Sequence, residues 1–146
     1  MDAFGRTVHP FSLYQKMNRD EVISRNMNTE FKRPELEDRD TIMHYFSLQK
    51  SRGCECTFSC VYLWARFYHV EYAIMEDMMV FKCGEEDLFF DFPYGEEKNV
   101  KAAIEAIRVY CEKENIEFCL GQVTPEQFAI LERLYPDTFE IFYDRN

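Results

Sequence analysis

A chain of 146 residues is sized for one domain, and 47% hydrophobic residues, including 14 Phe, 9 Tyr and a single Trp, are enough to build its core. The formal charge is −10, from 17 Lys+Arg against 27 Asp+Glu, and no basic cluster longer than Lys32-Arg33 occurs. Phosphate binding needs clustered cations, so this segment alone is not expected to bind nucleic acid or an anionic membrane surface.

Residues 1–28 mix Gly, Pro, Asn and charge without a sustained period, contain no apolar h-region, and offer Met17 and Met27 as later starts. They read as a loosely ordered extension ahead of a domain spanning 29–146. No stretch approaches the roughly 20 apolar residues of a membrane span. The six cysteines (54, 56, 60, 83, 111 and 119) therefore read as reduced thiols of a cytoplasmic protein.

Glu30-Phe31-Lys32 predicts a short strand closed by Pro34. Asp38 then stands as the N-cap of a helix with Ile42, Tyr45 and Phe46 on one face, and Gly53 as a stop beyond it. A second helix is predicted over Thr57 to Tyr68, with Phe58, Val61, Tyr62, Ala65 and Tyr68 at helical spacing. Three strands follow: His69 to Met75, with Val70, Tyr72 and Ile74 on one face, then Met78 to Cys83, then the nearly all-aromatic Leu88 to Phe92, ended by Pro93. Glu76-Asp77 and Gly84 to Asp87 are the turns of this antiparallel meander.

The clearest helix has Val100, Ala103, Ile104, Ile107 and Cys111 in one apolar stripe, with Glu97 and Lys101 as an outward i,i+4 pair. Ile116 to Leu120 predicts a strand parallel to Leu88 to Phe92, because a long helix separates the two. Thr124-Pro125-Glu126-Gln127 has the signature of a capping box with proline at the first helical position. Phe128, Leu131 and Leu134 form the buried face of the helix it opens. Thr138 to Tyr143 predicts a last strand, which either pairs inside the sheet or offers an edge to another chain.

Few of these residues carry chemistry. Cys54, Cys56 and Cys60 are close in sequence, but a closed zinc site needs a fourth ligand, Cys83 or a distant histidine, and packed thiols are the better reading. His9, His44 and His69 lie in unrelated contexts. No nucleophile elbow, phosphate-binding lysine loop or dinucleotide glycine fingerprint occurs. The sequence thus assigns no catalytic, cofactor-binding or metal-binding residue, and no cofactor.

The element order is that of the GNAT acyltransferase fold. The expected class is α+β (mixed α/β), a single GNAT-like lobe whose mainly antiparallel sheet carries helices on both faces. In that fold the loop after the fourth strand holds the cofactor diphosphate. Here the loop reads Pro93-Tyr94-Gly95-Glu96-Glu97-Lys98-Asn99, with one glycine and two carboxylates at the helix start. The carboxylates suit the helix dipole but repel a diphosphate at the same N–H groups.

Glu55-Cys56-Thr57-Phe58-Ser59 running into Leu63-Trp64, the stretch Phe90-Asp91-Phe92-Pro93-Tyr94-Gly95, and the terminal Asp144-Arg145-Asn146 carry a closer resemblance. From about residue 29 to 146 the chain resembles the N-terminal half of the C-terminal domain family of phosphatidylglycerol lysyltransferase and its soluble relatives. The resemblance implies two GNAT-like lobes in tandem, of which this is the first, and transfer of an aminoacyl group from charged tRNA to a lipid headgroup by the pair. It places no catalytic residue on this chain. Trp64, Arg66 and Tyr94 are the candidates for lining the cleft between lobes; as purely structural residues they would be core, solvated and turn positions. The implied partner is the second lobe. The alternatives are a stand-alone GNAT acyltransferase with an atypical cofactor loop, and a non-catalytic module that dimerises through its terminal strand.

Overall fold

One strand, β2 (Met78–Cys83), organises the molecule, because it is apolar on both faces and needs a layer against each. The computed structural model describes residues 29–49 and 56–140. β1 (Glu71–Met75) pairs antiparallel with β2 on one side, β3 (Phe89–Asp91) antiparallel on the other, and β4 (Leu120–Gly121) runs parallel beside β3. The sheet order is β1-β2-β3-β4. The expected mixed α/β class and the parallel crossover are both present.

Helices cover both faces. Met79, Phe81 and Cys83 meet Ile42, Tyr45 and Phe46 of α1 (Arg39–Ser47) and Phe58 of α2 (Phe58–Tyr68). Met78 and Val80 turn to the opposite layer, formed by Val100, Ala103, Ile104, Ala106, Ile107 and Cys111 of α3 (Val100–Glu114) and Leu131 of α4 (Pro125–Leu134). This partition follows from the period of two along the strand and the apolar stripes of α1 and α3. Lys82, the only charged residue of β2, lies over the rings of Phe31 and Tyr110, at 4.9 and 5.5 Å from their centroids, and pairs with Glu71 at 3.2 Å. The stem covers the aromatic rings while the ammonium keeps its partners.

Several boundaries differ from expectation for local reasons. The strand at Glu30 to Lys32 reduces to one bridge, in which the Lys32 and Tyr72 backbones exchange hydrogen bonds of 3.0 and 2.8 Å. β1 starts at Glu71 rather than His69, because His69 adopts the left-handed conformation (φ 50°) that ends α2, and Val70 N–H still bonds the Ala65 carbonyl. On its predicted face Tyr72 is buried, but Ile74 is exposed. Pro93 ends β3, as expected from its missing N–H, yet the pairing resumes at Tyr94, which bonds Met79 in both directions. β4 is only two residues long. The turn Glu76-Asp77 has φ of 51° and 57°, the pair of positive values that a two-residue hairpin of this hand requires.

Asp38 is not the side-chain cap of α1. It ends a 3-10 turn (Leu36–Asp38), and its carboxylate reaches back to accept from Glu35 N–H at 2.9 Å and from Lys32 Nζ at 2.8 Å. Burial pushes this carboxyl upward, but the bonds from Lys32, Glu35 and Tyr72 outweigh it and hold it below the usual carboxylate range. A group depressed in the fold stabilises it above the unfolded carboxyl pKa and ceases to do so as pH falls through the folded value. Acid titration of stability should therefore weaken below about pH 4, and Asp38→Asn should flatten that limb in urea unfolding followed from pH 7 to pH 3.

The capping box of α4 is formed as expected: Thr124 Oγ1 accepts from Gln127 N–H at 3.2 Å, and Gln127 Oε1 accepts from Thr124 N–H at 3.0 Å. Thr124→Ala should cost about 1 kcal/mol in denaturant unfolding. The expected outward pair Glu97–Lys101 does not form. Glu97 sits in a 3-10 turn ahead of α3 and pairs with Arg133 of α4, while Lys101 Nζ lies 5.8 Å from the Tyr135 ring centroid. Gly53, Cys54, residues 1–28 and residues 141–143 of the expected terminal strand lie outside the described residues; in its described half no strand forms, Thr138 being a buried turn residue and Phe139 and Glu140 irregular.

Candidate functional site

Between α2 and the N-terminal half of α4, past the ends of β3 and β4, lies a cavity of about 1000 Å³. Its wall on α2 carries Cys60, Val61, Trp64, Phe67 and Tyr68, and its floor carries Phe81, Cys83, Phe89 and Asp91 on one sheet face. Tyr94, Gly95 and Glu97 of the loop before α3 and Gln122, Thr124, Glu126, Gln127 and Ile130 complete the lining. The floor is accessible partly because β4 offers no side chain at Gly121: a Cβ there would lie 2.3 Å from Cδ2 of the Phe89 ring.

α2 was expected to bury Phe58, Val61, Tyr62, Ala65 and Tyr68. Only Phe58 and Ala65 of these are buried, whereas Leu63 (64%), Trp64 (51%), Phe67 (72%) and Tyr68 (60%) are largely exposed. Only Ser59 and Arg66 of Phe58–Tyr68 are polar, so large apolar residues extend beyond one face and spacing alone does not say which of them face outward. Trp64 centres one aromatic cluster, 5.8 Å from Phe67 and 5.7 Å from Tyr68 between centroids.

Of the three sequence candidates, Trp64 and Tyr94 line this cavity and Arg66 does not; Arg66 is exposed on α2. Tyr94 also packs edge-on against Phe46 at 5.0 Å and Phe81 at 5.7 Å, which fixes the loop to the core. Gln49 Nε2 donates to the Pro93 carbonyl at 3.3 Å from the end of α1.

Two N–H groups of the loop 93–99, and the first of α3, have backbone acceptors. Tyr94 N–H bonds Met79, Asn99 N–H bonds Glu96, Val100 N–H bonds Glu97, and Pro93 has none. Glu96 pairs with Lys98 at 3.1 Å, and Glu97 with Arg133. Among the described residues lining the cavity there is no Lys or Arg, and Asp91, Glu97 and Glu126 supply carboxylates.

Sequence reasoning missed Asp91. The signal was a single acid inside Phe89-Phe90-Asp91-Phe92, in a register that puts it on the face of Cys83. Burial, helped by the Asp91 charge, pushes the Cys83 thiol up to about 12, and burial likewise pushes Cys111 to about 12. Both thiols stay protonated and inert as nucleophiles at neutral pH. Among the described residues no group of three His, Cys, Asp or Glu side chains is placed to hold a metal ion. His69 lies 3.4 Å from Glu85, His44 packs edge-on against Tyr45, and His9 is outside the described residues. No helix among the described residues is long and apolar enough to cross a membrane.

A crystal structure of a conserved protein of unknown function from Bacteroides thetaiotaomicron is similar to this chain, with a TM-score of 0.69 and 31% sequence identity over 75% of this chain. The match spans 37% of that protein's length. No curated protein matches the chain significantly. The family model for the C-terminal domain of phosphatidylglycerol lysyltransferase matches residues 46–145, a span that includes α2, the whole sheet, the cavity and α3 and α4. The chain belongs to the phosphatidylglycerol lysyltransferase C-terminal domain family.

Proposed function

We propose that this chain is the first of two GNAT-like lobes of an aminoacyl-tRNA-dependent transferase and is not catalytic alone. The observation that carries the reading is the loop 93–99. Its two carboxylates at the helix start, Glu96 and Glu97, would repel a cofactor diphosphate at the N–H groups where a stand-alone acyltransferase of this fold would hold one. Family membership supports the transferase class, and the 37% coverage of the Bacteroides protein fits a chain that accounts for one part of a longer assembly. The exposed Leu63, Trp64 and Phe67 on α2 are side chains that a second lobe would cover. Trp64 and Tyr94 would then line the inter-lobe cleft, with Arg66 at its margin.

The DNA following codon 146 tests this cheaply. A frame encoding a second lobe is expected there or in the neighbouring gene, and a native stop with no such frame nearby overturns the reading. A second reading, a homodimer, is favoured by one feature: α2 of this acidic chain exposes Leu63, Trp64 and Phe67 and contains no carboxylate. Sedimentation over a range of concentrations separates the two, since a strict monomer excludes the homodimer.

A further inference from the structure

α2 leaves Leu63, Trp64, Phe67 and Tyr68 each more than half exposed. They form one strip, because Leu63 and Phe67, like Trp64 and Tyr68, stand four residues apart on the helix. Arg66, two residues from both Trp64 and Tyr68, falls on the other side. Beyond the end of α2 stands an acidic turn, Glu85-Glu86-Asp87, all exposed and tied to the helix by Gly84 N–H on the Tyr68 carbonyl at 3.0 Å. His69 Nε2 lies 3.4 Å from the Glu85 carboxylate. The face is aromatic along the helix and acidic at its end, so its complement is an apolar segment that finishes in cations.

The chain carries such a segment ahead of the described residues. Residues 3–19 are the longest stretch without Asp or Glu in a chain of formal charge −10. Within it, Pro10-Phe11-Ser12-Leu13-Tyr14-Gln15-Lys16-Met17-Asn18-Arg19 combines four large apolar residues with two cations toward its end. Reach permits the contact. Lys32 pairs with Tyr72, and β1 begins three residues after α2, which keeps Thr29 within about 30 Å of Tyr68. The chain from Arg19 to Thr29 extends to about 33 Å.

We propose that residues 10–19 dock on this face, with Phe11, Leu13, Tyr14 and Met17 against the strip on α2 and Lys16 and Arg19 beside Glu85-Glu86-Asp87. Tethering makes the contact intramolecular, so weak complementarity is enough to populate it. The segment and a second lobe would compete for Trp64 and Phe67. The inference therefore goes beyond the proposed function, and its test does not depend on the DNA after codon 146.

Zero-length carbodiimide coupling of the full chain, at about 0.15 M ionic strength, joins Lys16 to the carboxylates it touches. Mixing isotope-labelled and unlabelled chains separates links within a chain from links between chains. A link from Lys16 to Glu85, Glu86 or Asp87 within one chain is expected. Phe11→Ser combined with Tyr14→Ser should lose most of it and raise acrylamide quenching of Trp64, the only tryptophan, severalfold. Phe67→Ser, at a position 72% exposed where the fold is not at risk, should also lose the link. Absence of that link, links only between chains (as a second copy on the face would give), or Trp64 quenching unchanged by Phe11→Ser with Tyr14→Ser would each overturn the proposal.

Discussion

Replacing Phe90 with alanine is expected to lower the unfolding midpoint by about 10–15 °C, more than any substitution on the cavity wall. Phe90 is fully buried on β3, with Phe31 at 6.0 Å and Tyr110 edge-on at 6.2 Å between ring centroids. It joins the sheet to α3 at the junction where antiparallel pairing changes to parallel: Phe90 faces Lys82 on β2 and Leu120 on β4. A Phe→Ala change in such a core costs about 3–5 kcal/mol. For a domain of this size each kcal/mol corresponds to about 2–4 °C. Domains of this kind have about 5–15 kcal/mol in total, so the variant should remain folded only marginally. Phe90→Leu keeps most of the volume and should lose about a third as much. Calorimetric or circular-dichroism melts distinguish the two; equal midpoints for wild type and Phe90→Ala would contradict the packing described.

Glu105→Ala should cost about 2–3 kcal/mol and also loosen the cavity. Tyr135 Oη donates to Glu105 Oε1 at 2.6 Å, and Arg108 donates to the same oxygen at 3.2 Å, with Arg108 and Glu105 side chains each 15% exposed. Burial, then the Glu105 carboxylate, pushes the Tyr135 hydroxyl far above its ordinary value, so it remains a proton donor at all working pH. Removing Glu105 leaves a buried hydroxyl and a largely buried guanidinium without their shared acceptor, and bonds to a charged group are worth about 1.5–3 kcal/mol each. Tyr135→Phe, which removes only the donor, should cost about 1 kcal/mol. Tyr135 follows the last turn of α4, and its N–H caps that helix through Leu131. α4 in turn supplies Thr124, Gln127 and Ile130 to the cavity. Glu105→Ala should therefore alter the Trp64 emission as well as the stability, whereas Tyr135→Phe should leave the emission near that of the wild type. The exposed Arg133–Glu97 pair, by contrast, should contribute little when broken alone.

Legibility in the sequence follows the range of the interactions involved. The stripe Val100, Ala103, Ile104, Ile107, Cys111 identifies α3 and its buried face because one local period decides both. The Thr124–Gln127 box fixes the start of α4 because both of its hydrogen bonds span three residues. The hairpin at Glu76-Asp77 is similarly local. What was not legible depends on distant partners. Phe58 to Tyr68 has only Ser59 and Arg66 as polar residues, so nothing local says that Trp64 and Phe67 face outward. Glu97 could pair with Lys101 four residues on or with Arg133, and only the packing of α4 decides. Asp38 has the composition of a cap and instead closes a turn back to Glu35 and Lys32. Asp91 is hidden in an aromatic run until strand register puts it on the face of Cys83. The cavity itself is built by α2, the strand ends and α4, elements that meet only in the fold.

The account rests on a loop that places the carboxylates of Glu96 and Glu97 where a diphosphate would have to bind. Titration of the purified chain with coenzyme A by isothermal calorimetry tests that directly. No saturable heat is expected. Micromolar one-to-one binding that is displaced by inorganic pyrophosphate and lost in a variant altered between Gly95 and Lys98 would contradict it.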